Sequence, residues 1–389
     1  VRARKQCIED GVCKRGSPAL ANFTRFLSKN SEHTQGVQGE DWSPGWAGPF
    51  QKMIKDTQHW SNEEFGKVHN ANYDKFLGGE LTWIESRVFS DLALEALGDH
   101  PLAADIRSRL MKMQPTNPRV DSLERGAANT SLQCGRATLQ IGMHGQVIEL
   151  SWGSHSWAST ENPLFDLLYV TYNEKEIWDT KANLTCSEPG CANPRDAVWH
   201  PMFEDLWHNA SAAAQSPCRV IVKSTFPSTL CAKYGCPASV WLDAAIDPHK
   251  HEVNVRLSWF EKHVTRLPES FMLTFRPRKP LSESSHGWAM DVLGEWVYPH
   301  EVGNGTTNSW QRGIWSGLRY TEQHGASDIG LHIESLDAAM ACPMVAGLGL
   351  LGDSTPLGEG VPAGLIKPDN VIGMGLSLYQ NMMPISGFP

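Results

Sequence analysis

The fold is decided by residues 252–259, which read EVNVRLSW. Apolar side chains occupy every second position, and polar side chains fill the positions between them. Because successive side chains point to opposite faces of a strand, this pattern predicts an antiparallel strand with one face in the core. Three further segments repeat the alternation: Phe271/Leu273/Phe275, Ile329/Leu331/Ile333 and Ile372/Met374/Leu376/Leu378. Turns rich in Gly, Pro and Asp separate them, so the sequence predicts a large antiparallel β-sandwich.

The segment 46–115 has helical periodicity instead. Ser61 and Glu64 are spaced as a capping box, in which the Ser61 hydroxyl accepts the Glu64 amide, so a helix should begin at Ser61. Asp99 and Pro101 are typical of a further helix start. Apolar residues recur every three or four positions at Leu81, Ile84, Val88, Leu92, Leu102, Ile106, Leu110 and Met113. These stripes predict that residues 61–113 pack as a helical hairpin or bundle against the β domain rather than standing free.

Changes in composition divide the chain into four parts. Residues 1–45 are expected to be irregular, and residues 46–115 to form the helical bundle. Residues 116–136, rich in Pro, Asn, Ser and Gly, are typical of a linker. Residues 137–389 should hold the β-sandwich. The expected fold class is α+β, mainly β.

The overall charge and hydropathy exclude two classes of partner. The net charge is −9, whereas nucleic-acid binding needs a concentrated basic face. No run of eighteen apolar residues occurs, so no membrane span is predicted. The expectation is a globular protein with neither partner.

Glycosylation sequons and cysteines indicate the secretory pathway or the extracellular space. Five Asn-x-Ser/Thr sites occur, at Asn22, Asn129, Asn183, Asn209 and Asn304, and their side chains should be exposed if they carry glycans. Because the chain begins with Val1 and shows no leader pattern, we expect a processed or truncated start.

Close cysteine pairs predict disulfides. Cys186/Cys191 and Cys231/Cys236 lie in segments rich in Pro and Gly, and Cys7/Cys13 is a third candidate pair. Zinc is the alternative, although the four-residue internal spacing and the lack of a following His pair fit it poorly. Nine cysteines is an odd number, so Cys134, Cys218 and Cys342 cannot all pair within the chain.

Aromatic residues supply candidate ligand contacts. The chain has fifteen Trp residues, and their flat rings could stack on sugar faces or simply fill a wide core. The polar segment 153–157, Gly-Ser-His-Ser-Trp, is typical of a loop, which makes His155 and Trp157 the better candidates for substrate binding. His249 and His251 could share a metal if they lay on a strand, but Pro248 favours a turn.

Six short segments resemble a known family of enzymes. They are residues 31–36 (SEHTQG), 83–87 (WIESR), 259–262 (WFEK), 265–269 (TRLPE), 335–337 (SLD) and 378–381 (LYQN). The chain resembles the part of glycoside hydrolase family 38, the α-mannosidases, that follows the catalytic barrel, in a branch without an assigned activity. The resemblance implies a helical bundle followed by a β domain of the mutarotase-like supersandwich kind, with residues 1–45 left from the preceding barrel.

The same resemblance implies a zinc ion in the full-length enzyme, with His33 as one ligand at the passage from barrel to bundle. In the family this passage reads His-His-Asp, whereas here it reads Glu32-His33-Thr34, so His33 could also be an ordinary loop histidine. The other ligands and the nucleophilic carboxylate would lie before Val1. This chain alone should therefore hold no zinc tightly and hydrolyse no glycoside.

Three charged residues could face a glycan from the β domain. Arg266 and Glu269 could contact sugar hydroxyls, or could form a buried ion pair at the end of a strand. Asp337 could likewise contact substrate or cap a turn. The first hypothesis is thus the accessory part of a secreted, zinc-dependent glycoside hydrolase, with a glycan and the catalytic barrel as partners. The alternative is a carbohydrate-binding or structural β-sandwich module without catalysis.

Overall fold

The computed structural model describes residues 2–29, 61–71, 73–171, 197–265, 267, 269–278, 287–301, 312–324, 327–345, 349–350 and 371–381. Two compact units divide the chain between Thr116 and Asn117. The first is helical and the second is built from antiparallel strands, which confirms the α+β, mainly β class. Among the helices of the described residues, none combines the length and apolarity needed to cross a bilayer.

The helical unit contains five described helices. They are α1 (Arg2–Glu9), α2 (Pro18–Lys29), α3 (Asn62–Ala71), α4 (Tyr73–Glu95) and α5 (Pro101–Met113). Contacts join α2 to α4 and α1 to α5. Their shared core consists of Cys7, Cys13, Leu20, Phe23, Ala93, Leu97, Leu102 and Ala103. The expectation of an irregular segment at residues 1–45 is wrong for α1 and α2, because Leu20 and Phe23 provide an apolar face three residues apart that packs into this core.

The helix starts follow from local hydrogen bonds. The Glu64 amide donates to Ser61 Oγ at 3.3 Å, which confirms the predicted start at Ser61. The Glu64 carboxylate binds Lys67 Nζ at 2.5 Å. At α5 the cap is His100, whose Nδ1 accepts the Leu102 amide at 3.1 Å, with Pro101 as the first helical residue. An imidazole thus takes the role that we assigned to Asp99.

The apolar stripe of α4 is only partly buried. Leu81, Ile84 and Val88 remain 52%, 49% and 40% exposed, whereas Ala93 and Leu97 are buried. Helical spacing predicts that apolar side chains share a face, but it does not determine how far a neighbouring helix extends along that face.

Among the described residues, the β unit contains three sheets, and all strand pairs are antiparallel. The first has five strands in the order β1 (Glu124–Gly126), β8 (Met202–His208), β9 (Cys218–Thr225), β10 (Ser239–Asp247) and β11 (Glu252–Phe260). The third has four strands in the order β14 (Glu295–Val297), β13 (Gly287–Val292), β16 (Gly317–His324) and β17 (Ser327–Glu334). Helix α6 (Ser228–Tyr234) lies between β9 and β10 in the chain, and Pro299–Glu301 forms a 3₁₀ turn.

The second sheet has eleven strands in the part of the chain that the structure describes. Its main path runs through β15 (Arg312–Gly313), β18 (Met340–Val345), β20 (Val371–Asn381), β12 (Glu269–Phe275), β6 (Leu164–Thr171), β4 (Val147–Trp152), β3 (Ala137–Ile141) and β2 (Ser131–Cys134). Off this path, β5 (His155–Ser156) pairs with β4, β7 (Ala197–Trp199) with β6, and β19 (Gly349–Leu350) with β18. The sheet therefore joins strands from both ends of the β unit.

The core cluster includes buried residues of all three sheets, and part of it lies where the first two sheets face each other. Leu139, Ile141 and Leu150 of the eleven-stranded sheet line one side of a small apolar gap. Val222 and Leu242 of the five-stranded sheet line the opposite side. This face-to-face burial is the arrangement of a β-sandwich.

The predicted strands at residues 252–259, 271–275, 329–333 and 372–378 are confirmed as β11, β12, β17 and β20. β12 differs in one respect, because all seven of its residues are buried. Its polar positions tolerate burial because their side chains find acceptors, as where Thr274 Oγ1 donates to the Asp166 carbonyl at 3.1 Å.

Strands β1 and β2 lie in the segment 116–136, which we expected to be a linker. Both are short edge strands: β1 buries no side chain, and β2 has only four residues, of which Leu132 and Cys134 are buried.

Three disulfides are present in the described residues. Cys231–Cys236 and Cys7–Cys13 are confirmed, and the cysteines that the sequence left unassigned supply Cys134–Cys218. Cys342 is a buried thiol. The predicted Cys186–Cys191 pair lies outside the described residues.

Among the sequons, Asn22, Asn129 and Asn209 are exposed as expected, while Asn183 and Asn304 also lie outside the described residues.

Candidate functional site

A hairpin formed by β4 and β5 places aromatic side chains together. Its turn residue Gly153 has a φ of +64°, a left-handed conformation that glycine adopts without steric cost. Trp152 and His155 are directly opposite each other in the register. Because opposed residues of an antiparallel pair share a face, both rings lie on the same side of the hairpin.

Two more rings extend this pair into a ring cluster of Trp152, His155, Trp157 and His251. The His155 and Trp157 ring centroids are 4.2 Å apart in an edge-to-face arrangement. On the other side, Trp152 and His251 have centroids 5.6 Å apart. The structure thus brings together His155 and Trp157, the two candidates from the segment 153–157, and adds Trp152 and His251.

The backbone fixes the position of the ring cluster. The Trp157 amide donates to the Leu150 carbonyl at 2.8 Å, and the Trp157 carbonyl accepts the Arg278 amide at 2.9 Å. Trp152 Nε1 is buried and has no hydrogen-bond partner among the described residues. A buried N–H without an acceptor is costly.

The turn between β10 and β11 supplies His251. Asp247 Oδ1 accepts the amides of His249 and Lys250 at 2.9 and 3.1 Å. These hydrogen bonds lower the pKa of Asp247. The turn that Pro248 favoured is confirmed, so His249 and His251 do not share a strand face as the metal interpretation required.

Glu269 lies in a different environment, at the start of β12. Its side chain is 0% exposed and its Oε1 is 2.7 Å from Lys262 Nζ. Thr265 Oγ1 donates to the same oxygen at 3.2 Å, and the Tyr169 hydroxyl donates to Oε2. A carboxylate enclosed in this way cannot meet a glycan from solvent. The structure therefore favours the buried ion pair over sugar contact, with Lys262 as the cation, while Arg266 lies outside the described residues.

Burial controls the ionisation of this group. Burial raises the pKa of Glu269, and the positive charge of Lys262 opposes that rise. Burial also raises the pKa of Tyr169 and Tyr379, and the neighbouring Glu269 carboxylate raises both further. The phenols therefore stay protonated and can donate to the carboxylate.

Asp337 is exposed in the connection between β17 and β18, where Ser335 Oγ donates to the Ala338 carbonyl at 2.6 Å. This turn belongs to neither the ring cluster nor the Glu269 group. His33, the predicted zinc ligand, lies outside the described residues. Within the ranges that are described, no three His, Cys, Asp or Glu side chains are grouped so that they could hold a metal ion.

A comparison with protein families places the chain. The family model described as "Domain of unknown function (DUF5054)" matches residues 1–254 of the 389. The chain belongs to the DUF5054 family. No curated protein matches it. The DUF5054 match includes all four residues of the ring cluster and stops before Glu269 and Asp337.

Sequence reasoning did not place Trp152 and His251 with His155 and Trp157, and only Trp152 could have been found from a local pattern. Trp152 is only three residues from His155, so a predicted hairpin at Gly153 would have paired them. His251 is about one hundred residues further along the chain. No local pattern connects it to the hairpin.

Proposed function

We propose that this chain is the helical and β-sandwich part of a secreted glycoside hydrolase similar to the family 38 α-mannosidases, and that the ring cluster contacts its glycan. The observation that carries the proposal is the ring cluster itself, whose four rings are half-buried or exposed. Sequence resemblance to family 38 supplies the reaction class.

The chemistry of the ring cluster suits a sugar. Aromatic rings bind apolar faces, and Trp combines a large apolar surface with a polar N–H. A sugar ring offers both an apolar face of C–H groups and hydroxyls that accept hydrogen bonds. One sugar ring could thus stack on an aromatic ring of the cluster through its C–H face.

Secretion is supported by two features. Cys7–Cys13, Cys134–Cys218 and Cys231–Cys236 form disulfides, which persist in oxidising compartments. The sequon residues Asn22, Asn129 and Asn209 are exposed and accessible to glycosylation. The supersandwich topology and the zinc site of the whole enzyme, with His33 as one ligand, remain part of the proposal.

Glycan binding can be measured by titrating the chain with methyl α-mannoside and mannose oligosaccharides while following Trp fluorescence. We expect Trp157→Ala to lower the affinity about tenfold or more, since it removes an aromatic contact surface. Trp207→Phe is the matched control, because Trp207 stacks on Trp241 in the five-stranded sheet instead. Equal affinities for wild type and Trp157→Ala would reject the ring cluster as the contact.

The enzyme assignment needs a separate test. We expect a longer gene product that includes the preceding barrel to hydrolyse an aryl α-mannoside, to lose activity on removal of zinc, and to lose it on His33→Ala. The present chain should be inactive. Turnover by the present chain that survives His33→Ala would contradict the proposal.

The second candidate is a carbohydrate-binding module without catalysis. It is favoured by the fact that all four rings of the cluster belong to this chain. Glycan binding by the chain, together with inactivity of every longer product, would select this alternative.

A further inference from the structure

Two histidines from different loops lie side by side in the β unit. His144 belongs to the turn between β3 and β4, and His200 to the connection between β7 and β8. Their ring centroids are 4.9 Å apart and their planes are inclined by 31°. The Phe203 amide donates to the Met143 carbonyl at 2.9 Å, which holds the two loops together.

In both rings, Nδ1 is the nitrogen that donates a hydrogen bond. His144 Nδ1 is 3.0 Å from the Pro201 carbonyl oxygen, which can only accept, so this nitrogen carries the proton. His200 Nδ1 is 3.3 Å from Asp166 Oδ1, so it also donates. In the neutral form each ring therefore presents the lone pair of Nε2.

Asp166 is fixed before any ligand arrives. Its side chain is 5% exposed, and Arg276 Nη2 is 3.6 Å from its second oxygen. The preceding residue, Phe165, has a φ of +52°, which is strained for an aromatic side chain. The β6–β12 register shifts next to this point, between Thr274 and Phe275. Backbone strain of this kind persists only where the surroundings impose it.

A carboxylate or carbonyl that accepts from Nδ1 of a histidine is the usual outer partner of a metal-binding imidazole, because it sets the tautomer and orients the ring. Here both rings have such a partner. His144 is exposed and the His200 side chain is 35% exposed, so a solvated ion can reach them. Imidazole nitrogen favours Zn²⁺, Ni²⁺ and Cu²⁺ over Mg²⁺ and Ca²⁺.

We propose that Nε2 of His144 and Nε2 of His200 bind one divalent transition-metal ion, with Asp166 as the outer partner of His200. Two protein ligands leave the other coordination positions to water or to an oxygen of a bound molecule. The site is thus an exchangeable one for Zn²⁺ or a similar ion. It does not depend on the proposed glycosidase function, since it shares no residue with the ring cluster.

The test uses the whole chain with Cu²⁺ or Zn²⁺ as the only ligand. Electron paramagnetic resonance of the Cu²⁺ form should show two imidazole nitrogens, and calorimetry should give one Zn²⁺ per chain. His144→Ala and His200→Ala should each lower Zn²⁺ affinity about tenfold or more, and Asp166→Asn about 10–100-fold. His249→Ala, another exposed turn histidine, is the matched control and should bind as wild type does.

His144→Ala and His200→Ala change accessible rings and should leave the fold intact, which circular dichroism checks. Asp166 is buried, so its variant is interpreted only if it folds. The proposal is overturned if the wild-type chain binds neither ion, or if both histidine variants keep the wild-type affinity and the wild-type Cu²⁺ spectrum.

Discussion

Lys262 supplies the cation for a carboxylate that has no contact with solvent. Glu269 is 0% and Lys262 13% exposed, with 2.7 Å between Nζ and Oε1. Removing one partner of a buried pair leaves the other charge uncompensated. We expect Lys262→Met to lower the free energy of unfolding at neutral pH by about 3 kcal/mol, as measured by urea denaturation.

Lys250→Met is the control for this change. Lys250 is 71% exposed and lies 3.6 Å from Asp247, and exposed pairs contribute little because water screens them. We expect no change beyond experimental error. Equal effects of the two substitutions would show that the Lys262–Glu269 pair does not stabilise the fold.

The raised pKa of Glu269 gives a pH dependence with a definite sign. Since burial raises its pKa above the ordinary value of 4.5, the folded state binds the proton more tightly than the unfolded state. The stability from this group is complete below pH 4.5 and is lost as pH rises through the folded pKa. Urea denaturation measures the unfolding free energies of wild type and Glu269→Gln. The wild-type value minus the variant value should decrease as the pH is raised from 4 to 8. A difference that increases with pH would contradict this prediction.

At the scale of the element, α4 has an exposed end and a buried end. Phe23 of α2 is 3% exposed in the core that includes the end of α4, whereas Ile84 is 49% exposed. We expect Phe23→Ala to cost about 3–5 kcal/mol through the cavity that it leaves. Ile84→Ala should change stability by less than about 0.5 kcal/mol. Helical circular dichroism during denaturation measures both, and a large loss for Ile84→Ala would mean that its side chain is covered in solution.

Strands with strict alternation were predictable because one-sided burial leaves a period of two in the sequence. β11 and β17 are examples. The burial of all of β12 was not predictable, since it depends on acceptors such as the Asp166 carbonyl that come from another strand. The helices α1 and α2 were missed because each is short and has few core residues.

The candidate site was predictable only where its residues are close in sequence. His155 and Trp157 lie in one short segment and were predicted together. His144, Asp166 and His200 were not, because they follow no motif and meet only after β4, β6 and β7 pair. The partner of Glu269 was similarly obscured, since Arg266 and Lys262 are both close in the sequence.

At the scale of the whole molecule, Cys134–Cys218 connects the two large sheets. Cys134 ends β2 of the eleven-stranded sheet and Cys218 begins β9 of the five-stranded sheet, with a sequence separation of 84. A disulfide restricts the unfolded chain more when it closes a longer loop. Replacing both cysteines by Ala should cost about 4–5 kcal/mol, measured by Trp fluorescence during denaturation.

Cys231–Cys236 is the comparison, because its sequence separation is only 5. Its removal by the same double substitution should cost about 2 kcal/mol. If the two double variants lost equal stability, loop length would not be what governs the contribution of the disulfides.

The order of strands in the eleven-stranded sheet has a consequence for how the gene can be divided. β6 pairs along its length with β12, and β12 pairs in turn with β20, which ends at Asn381. The region of family similarity stops at residue 254, inside β11. A recombinant fragment cut there would lose the neighbour of β6 and expose its unpaired amides and carbonyls, which invite aggregation. The limit of sequence similarity is therefore not a place where the polypeptide can be shortened, and expression vectors should encode the strands through Asn381.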